Sequence, residues 1–265
     1  MSDRQEDQQP GNDAPQSGAE RFHMLAARPM LRSICWNPVP SISPPEMEGA
    51  YDVFIMQNAL EEVLEHVWGA PADEAPFGLL AGDICEDAED GTRYVQICGA
   101  CPSRVPMVDG RIPPEAWEAL SDDLDALGMP GSLVGWYVRH PGGKLKLTPD
   151  ERASHGKYFN EPWHSALVIV SDPDDPRGGF FRTTARGFST VPLPFYEVMT
   201  ADSLAGGDRH TLIEWTNAES DGEATVIELD KSGGDIEAVV ARTKALAAEP
   251  TAPAGPIAQE AARRG

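Results

Sequence analysis

Short apolar runs bounded by turn residues recur through the middle of the chain, at 51–56, 77–82, 93–98, 133–140, 165–171 and 179–184. Runs of this length and kind are buried or half-buried strands, and together they imply a sheet. Between them lie helical patterns. Residues 57–68 place Leu60, Val63, Leu64 and Val67 on one face, and Gly69 closes the run. Residues 113–127 carry Pro and Glu early and Leu120, Leu124 and Leu127 on one stripe, with Gly128 after them. A third helix is predicted over 149–159. The order β-α-β-β-α-β-α-β-β predicts an α/β domain over 48–200, with a mixed sheet flanked by helices in three layers.

The flanks read differently. Residues 1–28 are polar, rich in Gln, Asp, Gly and Pro, and lack apolar periodicity, so they are expected to be a disordered tail. Residues 29–47 hold Trp36, Ile42 and the run NPVPSISPPEME, and are expected to be an extended Pro-rich arm. After the domain, 210–215 and 224–229 flank the acidic run NAESDGE and predict a hairpin. A helix is predicted over 234–248, which makes 201–248 an acidic hairpin-helix extension, and 249–265 reads as a second tail.

Charge narrows the partners. With 21 Lys+Arg against 43 Asp+Glu the formal net charge is -22, which disfavours nucleic acid and anionic membranes and leaves basic or neutral proteins. No run approaches the roughly 18 uncharged apolar residues of a membrane helix, and the first twenty residues lack the basic-then-apolar order of a signal peptide. Four cysteines, Cys35, Cys85, Cys98 and Cys101, are too few for a disulfide framework and fit a reducing compartment, so a cytoplasmic location is expected. Cys98-Gly-Ala-Cys101 has C-x-x-C spacing, but it has no second pair and closes a strand instead of opening a helix, so two ordinary thiols are expected. The paired glycines read as turns, and the acidic runs at 86–90 and 172–175 lack the spacing of a calcium loop.

The segment richest in chemistry runs Gly135-Trp-Tyr-Val-Arg-His-Pro141 and on to Thr148 and Glu151, followed by Pro162-Trp-His-Ser-Ala-Leu-Val-Ile-Val170 and the Asp172-Pro173 turn. With the upstream Gly78-Leu-Leu-Ala-Gly82, it resembles the JAB/MPN (JAMM) metalloprotease-like family of bacterial type, over roughly 50–200. Members carry Gly-Trp-Tyr-His-Ser-His-Pro, a Ser seven residues on and an Asp three further. The resemblance implies a cytidine-deaminase-like domain in which two His and one Asp hold Zn²⁺, a Glu acts as general base and the Ser stabilises the intermediate. Three protein ligands leave one open position, where zinc lowers the pKa of water to about 7.

Carried across residue by residue, the first His position holds Val138, the second His140, the Ser position Thr148 and the Asp position Glu151. The Glu position holds Ala75, with Glu74 beside it. Two ligands at best remain. A non-standard zinc site would need His140, Glu151 and His155, the last two at i and i+4 on one helix face, with Glu74 and Thr148 as the catalytic groups. The leading expectation is a pseudoenzyme without a cofactor, a binding or scaffold module whose protein partner is another MPN-type subunit or a ubiquitin-like protein. The alternative is a zinc-dependent isopeptidase or peptidase with divergent ligands. A weaker third reading is a small-ligand cleft built from Arg139, His140, Thr148 and Glu151.

Overall fold

The computed structural model describes residues 23–38, 44–127, 132–142, 144–172, 174–201, 203 and 210–220. Its strands are β1 (His23–Leu25), β2 (Ser33–Pro38), β3 (Asp52–Met56), β4 (Phe77–Glu86), β5 (Arg93–Pro102), β6 (Ser132–His140), β7 (Ser165–Val170), β8 (Arg177–Thr184), β9 (Gly187–Phe188), β10 (Phe195–Val198) and β11 (Ala218–Ser220). Its helices are α1 (Pro44–Met47), α2 (Gln57–Gly69), α3 (Pro114–Leu127) and α4 (Pro149–Tyr158). The strands align in the order β11-β2-β10-β3-β5-β4-β6-β7-β8-β9, and β1 adds to β4. Pairing is parallel at β10/β3, β3/β5, β6/β7 and β1/β4 and antiparallel elsewhere, so this is a mixed α/β fold.

Strand alternation divides the apolar side chains between two faces. On one, Val53, Ile55, Val95, Ile97, Leu167 and Ile169 pack beneath α2, whose Ala59, Leu60, Val63, Leu64 and Val67 form the predicted stripe. On the other, Trp136, Val138, Ala166, Val168 and Phe181 join Ala116 and Leu120 of α3 and Phe159 at the end of α4. β7 is buried at every position because both of its faces are covered. α4 has little apolar stripe, and its buried residues are Glu151, Ser154 and His155. Its capping box and polar contacts hold it in place. Among the described residues no helix is long and apolar enough to cross a membrane.

The flanks depart from the sequence reading. Residues 33–38, expected within an extended arm, are strand β2 between β10 and β11. Ile34 and Trp36 alternate into the core there, and the Trp36 indole N–H donates to Glu197 at 3.0 Å. Residues 23–28, expected in a tail, are tied down by β1 and by Arg28, which pairs with Asp87 at 3.1 Å, Asp90 at 2.6 Å and Asp52 at 3.6 Å. Residues 218–220, expected in the acidic turn, are β11, whereas 210–215 form no strand. The expected strand at 224–229, the helix at 234–248 and the tails 1–22 and 249–265 lie outside the described residues. β10, which the sequence reading lacks, is the link between β2 and β3.

The Cys98 region also has its own structure. β4 and β5 lose register at Ala81/Gly82, leaving Cys98 as an extra residue in β5. Two α2 side chains one turn apart meet the freed backbone groups: Asn58 donates to Cys98 O at 3.1 Å, and Glu62 accepts from Ala100 N at 2.8 Å. Both cysteines are free, and burial pushes the Cys98 thiol up to about 12, away from redox or metal duty at neutral pH.

Gly178 admits the ring of Trp215, which lies where a Cβ would sit, at 1.9 Å. Gly178→Ala is therefore expected to cost roughly 1–3 kcal/mol by overpacking, read as a lower midpoint in chemical denaturation with unchanged slope.

Candidate functional site

The end of β6 and the start of α4 bring the sequence-derived residues together. Trp136, Val138 and His140 alternate onto one face of β6, and Tyr137 and Arg139 onto the other. α4 opens with a capping box and Pro149 in its first turn: Thr148 Oγ1 accepts from Glu151 N at 3.2 Å, and Glu151 Oε2 accepts from Thr148 N at 2.7 Å. The remaining carboxylate oxygen, Oε1, is 2.8 Å from His140 Nε2. The two side chains of this pair are only 12% and 5% exposed. Burial pushes the Glu151 carboxyl up, but the His140 imidazole and the Thr148 donors outweigh it, and the net shift is downward.

His155 sits one turn further along α4. Its Nδ1 accepts from the Trp136 indole at 3.0 Å, and its ring packs on Phe188 with centroids 4.1 Å apart. Thus α4 lies along β6 with Glu151 opposite His140 and His155 opposite Trp136, positions separated by about 13 Å of strand. His140 and Glu151 are brought together; His155 belongs to the aromatic cluster. Among the described residues, no three His, Cys, Asp or Glu side chains gather as a metal ligand set.

The other implied positions are occupied by packing. Val138 is fully buried with Phe77, Met107 and Leu147, and Ala75 packs on the same cluster. The Glu74 side chain is exposed, and its backbone carbonyl accepts from Arg139 at 2.8 Å. Arg139 also donates to the carbonyls of Val67, at 2.6 Å, Ala70, at 3.1 Å, and Pro71, so it caps the C-terminal end of α2 instead of lining a cleft with His140. Thr148 is engaged as a helix cap. What remains chemically is one histidine–carboxylate pair with its second oxygen already bonded.

One buried acid escapes sequence reasoning. Glu197 on β10 is fully buried and accepts from Gln57 Nε2 at 2.9 Å, Leu212 N at 3.0 Å and Trp36 Nε1 at 3.0 Å. Burial pushes its carboxyl up, against those three donors. In the sequence it is one acid in a four-residue strand between prolines, with no spacing to mark it.

No family model matches the chain, and no curated protein matches it. Among solved structures, the solution structure of protein DSY2949 from Desulfitobacterium hafniense is similar at 18% identity, covering 53% of this chain and 90% of that one, with a TM-score of 0.37. A likeness of that size bears on neither fold nor function.

Burial, then the nearby His164 and Arg152, push the His155 imidazole down to about 4 from an ordinary value of 6.5. A group so depressed favours folding above its unfolded-state pKa and loses that contribution as pH falls from about 6.5 towards 4. Stability at pH 5 is expected to be lower than at pH 7.5 by roughly 2 kcal/mol from this group. Urea unfolding at both pH values checks it, and His155→Leu should flatten the profile.

Proposed function

We propose that this chain is a catalytically degenerate JAB/MPN-like protein that acts as a binding or scaffold module, with another MPN-type subunit or a ubiquitin-like protein as partner. In this reading the mixed sheet and its helices are the three-layer domain of that family, working in the cytoplasm. The observation that carries it is the apolar filling at Val138 and Ala75, the positions where the resemblance implies a zinc-binding His and a catalytic Glu.

The residues present do not fit a zinc ion. A catalytic site needs three protein ligands and an open position, with a base poised over the bound water. His140 and Glu151 supply two donors, already bonded to each other, and Glu151 is also committed to the Thr148 backbone. Two donors beside a buried valine leave a dication short of the charge and hydrogen bonding that repay its desolvation. The pair instead locks the first turn of α4 to the end of β6. A fold of this kind hosts binding as readily as catalysis.

Elemental analysis of protein purified without chelator or metal-affinity tag, before and after zinc addition, tests this directly. Much less than one zinc per chain is expected. One zinc per chain, lost in His140→Ala, would instead establish the divergent isopeptidase. In the triple variant Val138→His, Ala75→Glu, Glu151→Asp, stoichiometric zinc is expected, because those changes restore the ligand set and base implied by the resemblance. A folded triple variant that takes no zinc would overturn the family frame.

A further inference from the structure

At the sheet edge opposite β9, a groove of about 530 Å³ lies between β2, β11 and the segment 211–216. Trp36 and Trp215 line it, with Ile34 and Ala218 between the strands and Glu214 and Thr216 on the segment. Two indoles and a carboxylate around one groove form a site for an organic cation.

Three further features point the same way. The Trp36 N–H donates to the buried Glu197 carboxylate, which makes the indole ring richer in electrons and a better partner for positive charge. Glu197 brings a full negative charge behind that wall, and its partners Gln57, Leu212 and Trp36 are neutral donors. Glu214, Glu219 and Ser220 are exposed around the opening, while the nearby Arg177 is paired with Asp175 at 3.5 Å. Over the whole molecule the net charge of -22 draws basic chains towards the surface. The Nε1–H of Trp215 is buried with no acceptor in the structure, a donor that a backbone carbonyl of a bound segment would satisfy.

We propose that this groove binds a basic segment of a protein partner, seating an Arg or Lys side chain between Trp36, Trp215 and Glu214. The inference rests on the binding-module reading and names the partner's chemistry: positive charge presented on an extended segment.

The test uses full-length protein and a tetra-arginine peptide, titrated calorimetrically at 150 mM salt, where diffuse attraction is largely screened beyond roughly 8 Å. Glu214→Lys and Thr216→Arg each place a positive charge in the groove from an exposed position and should weaken binding at least ten-fold. Glu115→Lys on α3, exposed and outside the groove, makes the same charge change as Glu214→Lys and should leave the Kd within two-fold. Equal loss in Glu115→Lys, equal binding of tetra-glutamine, or no binding by the unaltered chain would overturn the proposal. Tighter binding after Arg263→Ala and Arg264→Ala would overturn it in favour of the chain's own C-terminal end as occupant. Failure to bind by a zinc-free protein removes this inference and leaves the binding-module reading standing, whereas stoichiometric zinc removes that reading whatever the peptide does.

Discussion

β6 and β7 are covered on both faces, and the rest of the architecture follows from that requirement. A strand with Ala166 and Val168 on one side and Leu167 and Ile169 on the other is stable only between two packed layers. α2 supplies one cover, and α3 with the end of α4 supplies the other. The parallel pairing of β6 with β7 needs a crossover between them, and α4 is that crossover. α4 cannot rest on a broad apolar stripe, so its position depends on polar contacts, and these happen to involve the residues that first drew attention in the sequence.

Those contacts explain why the site reads as structural. Glu151 closes a capping box with one oxygen and holds His140 with the other, while His155, one turn on, accepts from Trp136. Each interaction stabilises the seating of α4 on β6. Val138, between the two anchoring positions of the strand, continues the apolar layer. A metal centre would require charged ligands in the same place, and burying a dication there without a full ligand set costs far more than the packing returns.

Glu197 performs a comparable task at the other end of the sheet. It ties Trp36 of β2, Gln57 at the start of α2 and the backbone of Leu212 to one buried carboxylate. Segments separated by as many as 161 positions in sequence thus meet at one side chain. The same arrangement sets the indole wall of the edge groove, so the interaction that completes the sheet also shapes the surface offered to partners. Polar groups buried in this way carry a high cost when unsatisfied and specify one geometry when they are satisfied.

Local patterns in the sequence were sufficient for the central elements. The stripe of Leu60, Val63, Leu64 and Val67 marked α2, apolar runs marked β3 to β8, and Thr148 followed by Pro149 and Glu151 forms a cap that is visible in the chain. Alternation along β6 also placed Val138 and His140 on one face and Arg139 on the other. What local pattern could not reveal was long-range pairing. β2 looked like an arm because its neighbours, β10 and β11, lie far along the chain, and β10 is too short to announce itself. The separation of His155 from His140 depended on which strand residue each turn of α4 faces, and the Glu197 network on segments joined only in three dimensions. Periodicity is a property of adjacent residues and determines which faces are apolar; the partner each face and each buried polar group meets is decided by packing of the whole chain.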